Sequence, residues 1–316
     1  MNNKGLRPMT EGGILTAIAV IFALAGTYMP FIGIFASLFW PVPIAILGVR
    51  HGYKWSILAT VVATVMIAAL VHPLQAVTIA IGLGMVGIVF GYSFRAGDSP
   101  AKIVALGTIA SLISNVAVLF IGAALTGINP LGDAEQLKTI MAEAIGFYQQ
   151  LGVQGEQLDS LKKTIDLMLW MLQIALPVLL LISALFNAVI NFWLIRKILN
   201  RFDRKTPGFP PFGLWQIPNF FVWALLGSIA LLWFGQTYNL TITKDIAINV
   251  LIAAAIALFV QGISLLWFVF GKYNVNKLFR VIILLLVFVN GFFTQLVVLA
   301  GAFDAVFDYR KLKQRK

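Results

Sequence analysis

Long apolar runs, not alternating or heptad patterns, organise this chain. Stretches free of charge fall near residues 12–29, 32–49, 55–72, 74–94, 103–125, 167–195, 214–237, 246–271 and 281–303. Each matches or exceeds the roughly 17–20 apolar residues that a helix needs to cross the hydrocarbon. The pattern predicts an all-α, polytopic transmembrane helical bundle with about nine apolar segments, eight or nine of them full spans. The first run follows Lys4 and Arg7 and contains Ala23, Leu24 and Ala25, which has the look of a signal peptide. Glu11 interrupts that lead and equally apolar runs follow, so an uncleaved first span is expected.

Charge gives the spans an orientation. Lys4 and Arg7, Arg50 and Lys54, Arg95 and Lys102, then Arg196, Lys197, Arg201, Arg204 and Lys205 mark every second junction. The segment between the fifth and sixth spans instead carries Asp133, Glu135, Glu143, Glu156, Asp159 and Asp166. By the positive-inside rule the amino terminus is cytoplasmic and residues 130–165 are extracellular. Lys272, Lys277 and Arg280 read as inside, and so does the tail "DYRKLKQRK", although one apolar segment separates them. That segment either crosses, or enters and returns by breaking at Asn290-Gly291. A cytoplasmic tail is expected.

Composition adds little but removes much. With 60% hydrophobic and 11% charged residues the chain is an integral membrane protein. The net charge of +11 is what basic cytoplasmic loops accumulate, so nucleic acid is not an expected partner, whereas membrane lipids are. No cysteine is present and only two histidines, His51 and His72. Disulfides, thiolate metal sites and a cysteine nucleophile are thereby excluded, and a zinc protease motif is absent. There is no P-loop motif, and no paired Asp lies inside an apolar run. The expectation is no enzyme, no cofactor, no metal and no catalytic residue.

The remaining signals are uncharged. Pro41 and Pro43 break the start of the second span, which ends on Arg50 and Gly52 at a cytoplasmic surface where cations meet headgroups. Irregular backbone at membrane depth needs protein or a cavity to satisfy it. A ligand arriving from outside would meet Tyr28 and Trp40, His72 and Gln75, and Trp170 and Gln173, a set suited to a small neutral or aromatic solute. Ser183, Asn187 and Asn191 share one helix face at spacings of four, and with Asn115 they are assigned to helix packing. Gly13 with Ala17, and Ala19 with Ala23, have the spacing that lets helices approach closely, inside the protein or against a partner.

Three regions follow: a six-span core over 1–200 with an outer amphipathic segment at 131–165, a Pro/Gly-rich cytoplasmic linker over 201–216, and membrane helices with a basic tail over 217–316. Within the outer segment, Leu137, Ile140, Met141, Ala144, Ile145 and Tyr148 recur at helical spacing, and a second helical run follows Gly152 and Gly155.

The stretches "MTEGGILTAIAVIFALAGTYMPFIG", "WPVPIAILGVRHGYKWSILATVVATVMIAAL" and "GAFDAVFDYRK" resemble the YybS-like family of uncharacterised bacterial multi-pass membrane proteins. More distantly, residues 10–198 are similar to the substrate-binding (S) subunits of energy-coupling-factor transporters, sharing a first helix of small residues and the passage Pro43, Gly48, Gly52. That similarity implies an S-component-like core in a bacterial plasma membrane. It also implies solute held by the outer halves of the spans, and a transmembrane coupling protein with ATPases as partners. The added spans after residue 214 depart from that pattern. The alternative function is a noncatalytic scaffold or regulator that docks a cytoplasmic or cell-envelope partner through basic loops and the Arg310, Lys311 and Lys313 tail.

Overall fold

The structure is a computed structural model that describes residues 6–126, 145–146, 155–202 and 206–312. The described residues form helices joined by short turns, with no strand among them. The chain divides into two compact units: Met1–Leu169 with Leu179–Gly208, and Trp170–Val178 with Phe209–Lys316. The division after Gly208 falls within residues 201–216. The transfer of residues 170–178 to the second unit has no counterpart in the sequence pattern.

In the first unit, α1 (Leu6–Tyr28) packs on α2 (Pro30–Phe39), α3 (Pro41–His51) and α4 (Tyr53–Leu70). The expected second span is therefore two short helices that meet at Trp40. Neither is long enough to cross alone, since ten or eleven residues rise only about 15–17 Å. Every residue of α3 from Pro41 to Val49 is buried. Helix α6 (Met85–Ala96) lies against it so closely that a Cβ on Gly87 would meet the Pro41 carbonyl at 2.8 Å. Gly48 and Gly91 face each other, and a Cβ on Gly91 would come within 3.1 Å of the Gly48 Cα. These contacts place Gly48 in a backbone-to-backbone crossing. Gly52 then takes φ +103°, a conformation open to glycine, and turns the chain into α4.

Arg50 does not stand free for headgroups. It donates to Glu11 at 3.0 Å, and His51 Nε2 bonds the other Glu11 oxygen at 2.8 Å. These contacts join the start of α1 to the end of α3 across 39 and 40 residues of sequence.

Helix α5 (Pro73–Ile79) continues through a π-helical turn at Ala80–Gly84 into α6, and α7 (Pro100–Thr126) follows. Helix α8 (Glu156–Arg201) has 46 residues, about 69 Å at 1.5 Å per residue, so it extends well past the hydrocarbon. The second helical run expected in the outer segment is thus the beginning of this helix, not a separate surface element. The first run, from Leu137 to Tyr148, lies almost wholly outside the described residues.

The second unit contains α9 (Phe220–Thr237), α10 (Thr241–Lys272), α11 (Lys277–Val289) and α12 (Gly291–Phe307). Helices α11 and α12 are bent by 104° at Asn290, at the Asn290-Gly291 pair where one of the two sequence alternatives placed a break. Asn290 has extended backbone and its side chain caps α12 by accepting from Phe292 N. Among the described residues seven helices are long and apolar enough to cross a membrane, or eight when the bent pair is taken as one span. The observed helices also outrun the charge-free segments, so α10 carries Asp245 near its start and α12 carries Asp304 near its end.

Candidate functional site

The proline at position 177 organises the site. It sits inside α8 and has no N–H to give the Gln173 carbonyl, which opens one turn of the helix. Asn249 of α10 engages the adjoining turn. Its Nδ2 donates to the Ile174 carbonyl at 2.7 Å, and its Oδ1 accepts from Val178 N at 3.1 Å. One amide thus meets both partners of the helical bond next to the one lost at Pro177, the way backbone groups loosened at membrane depth are satisfied. The same Nδ2 also donates to the Asp245 carbonyl at 2.8 Å, which ties the clamp to its own helix.

Beside this clamp lies a cleft of about 610 Å³, lined by Trp170, Gln173, Ile174, Pro177, Thr241, Asp245, Ile246, Asn249 and Val250. That volume falls within the range of small-molecule sites. Its walls are mostly apolar, with an indole, an amide, a hydroxyl and a carboxylate among them. Trp170 and Gln173, both singled out from the sequence, meet here. Thr241, Asp245 and Asn249 were missed. The available signal was an Asp and an Asn four residues apart at the head of an apolar run, which puts them on one helix face.

The other candidate ligand residues lie in the first unit. Tyr28 is exposed at the end of α1. His72 caps α5, its Nδ1 accepting from Leu74 N. Gln75 donates to Thr27 Oγ1 at 2.9 Å, so it ties α5 to α1. Trp40 has no exposed surface and sits among Ile44, Leu47 and Ala63. Its indole N–H meets no protein acceptor among the described residues, and in this conformation the ring offers nothing to a solute.

A second cleft, of about 540 Å³, lies in the first unit by the π-helical turn, lined by Thr78, Gly82, Asn115 and Ser183 among others. Its polar groups serve one another: Asn115 donates to Ser183 at 3.2 Å, and Ser111 to Asn187 at 3.3 Å. Asn191 reaches back to Asn187. This ladder joins α7 to α8, and it leaves little unpaired chemistry for a ligand. Ala19 and Ala23 are buried in the first unit's core, whereas Gly13 and Ala17 face outward.

About 18 Å along α10 from Asn249, at 1.5 Å per residue, a buried ionic network holds the other end of the second unit. Arg310 and Asp304 pair at 2.7 Å, both almost wholly enclosed. Arg310 also donates to Gly213 O, to Ser264 Oγ at 2.9 Å and to Trp215 O at 2.7 Å. Gln261 donates to Asp304 at 2.6 Å and accepts from Ile217 N at 2.9 Å. Every member of this network is paired, and it joins the tail and the linker to α10 and α12. Among the described residues none of its buried side-chain atoms lacks a partner, as befits a structural lock.

The family model described as "Predicted membrane protein (DUF2232)" matches residues 17–305. The chain is 24% identical over 310 residues to "Uncharacterized protein YybS" of Bacillus subtilis, covering 97% of this chain and 98% of that protein. No solved structure matches it.

Proposed function

The chain belongs to the DUF2232 family of membrane proteins, and from that premise we propose that it is a solute-binding protein of the bacterial cell membrane. The cleft beside Pro177 is its site. The observation that carries this reading is a helix opened by proline, clamped by Asn249, and flanked by an aromatic ring and polar groups in an apolar wall. Irregular backbone hydrogen bonding in a membrane helix is tolerated where protein satisfies it or where it lines a cavity, and this one does both. The chain has no P-loop, so moving a solute onward would take energy from partner proteins, a coupling membrane protein with ATPases. The reading is noncatalytic. The alternative of a scaffold that docks through its basic tail loses Arg310, which is enclosed in the ion pair.

In this reading the cleft opens outside and the Arg310 lock faces the cytoplasm. A single cysteine at Tyr238, in the turn before α10, should then react with an impermeant maleimide on intact cells, and one at Tyr273, after α10, should not. The opposite labelling reverses the orientation. Binding itself is read by thermal unfolding of the purified protein against a small-solute panel. A solute at 100 times its Kd adds about 2.7 kcal/mol, and the shift should disappear when Trp170 and Gln173 are both changed to Ala. A panel with no stabilising solute, or stabilisation unchanged in that variant, rejects the cleft as the site.

A further inference from the structure

We infer that the cleft selects an organic ammonium ion, an amine carried on a small apolar or aromatic body. This rests on the reading of the cleft as a solute site and narrows it.

The starting point is the charge balance of the second unit. Its carboxylates are Asp245, Asp304 and Asp308. Asp304 is neutralised by Arg310. Asp308 accepts from Gln216 and from Leu312 N. Asp245 lines the cleft, and among the described residues no cation and no hydrogen-bond donor reaches its carboxylate. Asp245 is half-buried in the second turn of α10, and an ionisable group of a membrane helix that has no protein partner marks a candidate ligand contact.

Apart from Asp245 the wall is neutral, apolar surface with the Gln173 amide, the Thr241 hydroxyl and the Trp170 indole among it. The Asn249 amide is committed to backbone at Ile174, Val178 and Asp245. Pro177 leaves the Gln173 carbonyl without its usual helical donor. Thr241 adds a hydroxyl, and Trp170 adds an indole whose face attracts a cation. What this wall lacks is positive charge, and an ammonium group supplies it together with up to three N–H donors for the Asp245 carboxylate and the Gln173 carbonyl. The volume of about 610 Å³ is far larger than a bare metal ion needs. A calcium-sized ion would also call for about six or more oxygen ligands, and the cleft presents a single carboxylate. Ile174, Ile246 and Val250 are there to cover an apolar body.

The chain has no cysteine, so Ile246→Cys places one thiol in the cleft wall. Its reaction with the neutral reagent N-ethylmaleimide is followed in the presence of tryptamine or of tryptophol, its neutral isostere. Tryptamine should protect at about one tenth of the concentration tryptophol needs, the size of one partly screened charge pair. Asp245→Asn should abolish that preference and Asp245→Glu should keep it, which separates recognition from a merely structural role for Asp245. Equal protection by both compounds, or a preference that survives Asp245→Asn, overturns the ammonium assignment and leaves the cleft as a solute site. A thiol that reacts freely and is protected by neither compound overturns both readings.

Discussion

Arg310→Ala destabilises the second unit by about 3–5 kcal/mol, the cost of leaving one partner of a buried ion pair unmatched. The large effect follows from what the guanidinium touches. Its three nitrogens reach the Asp304 carboxylate, two linker carbonyls and the Ser264 hydroxyl, so one truncation removes the partner of every one of them. Asp304 would then be left charged and buried with only Gln261 and the remaining dipoles. Arg310→Lys should recover only part of the loss, because an ammonium cannot span the same fork of acceptors. Replacing both members, Asp304→Leu with Arg310→Met, should cost less than Arg310→Ala alone, since no uncompensated charge remains. Thermal unfolding in detergent reads all three variants, and an Arg310→Ala protein that melts with the wild type would show that the pair contributes nothing.

Gly262→Val is expected to be at least as damaging. Helices α10 and α12 cross backbone on backbone: a Cβ on Gly262 would run into the Val297 carbonyl, and one on Gly301 into the Leu258 carbonyl. Neither obstacle is a side chain that can rotate away, so the helices must separate. Overpacking of a tight contact costs about 1–3 kcal/mol and occasionally more, and a collision with backbone belongs at or beyond the upper end. Separation would also pull Gln261 from Asp304, so the crossing and the ionic lock should fail together. The control is Gly227→Ala on α9, where an added Cβ meets nothing within 4 Å. That change should be neutral or stabilise by about 0.5–1 kcal/mol. Loss of folded protein in Gly262→Val, with Gly227→Ala intact, is the expected outcome of size-exclusion and unfolding measurements. Equal behaviour of the two variants would contradict the crossing.

Features that depend on local pattern were legible in the sequence. Apolar runs disclosed a helical membrane protein, Asn290-Gly291 offered a break as one of two courses for the last segment, and Trp170 with Gln173 pointed to one wall of the cleft. Features that depend on which helix lies beside which were not. Asn249 acquires its role only because α10 passes Pro177, and nothing near residue 249 announces a broken turn 72 residues earlier. Arg310 looked like one more cation of a basic tail. It is buried because Asp308 takes a left-handed conformation, φ 46°, that ends α12 and lets the chain carry Arg310 back to Asp304. Trp40 was misleading for a related reason. Its place beside two prolines suggested an open cavity, yet α3 is so tightly enclosed by α1, α4 and α6 that the ring became core.

The Glu11 contacts with Arg50 and His51 show the same limit at the other end of the chain. Counted along the sequence, Arg50 belongs to a basic junction that faces headgroups. In the folded unit it holds the first helix to the buried third one, and positive-inside counting cannot distinguish the two roles.

Whether the Pro177 cleft holds a small solute is decided by native mass spectrometry of protein extracted in mild detergent. The wild type should carry a released small molecule in stoichiometric amount, and the Trp170→Ala, Gln173→Ala variant should be empty while still eluting as folded protein on size exclusion. A wild type without solute, or a solute retained equally by that variant, would contradict the claim.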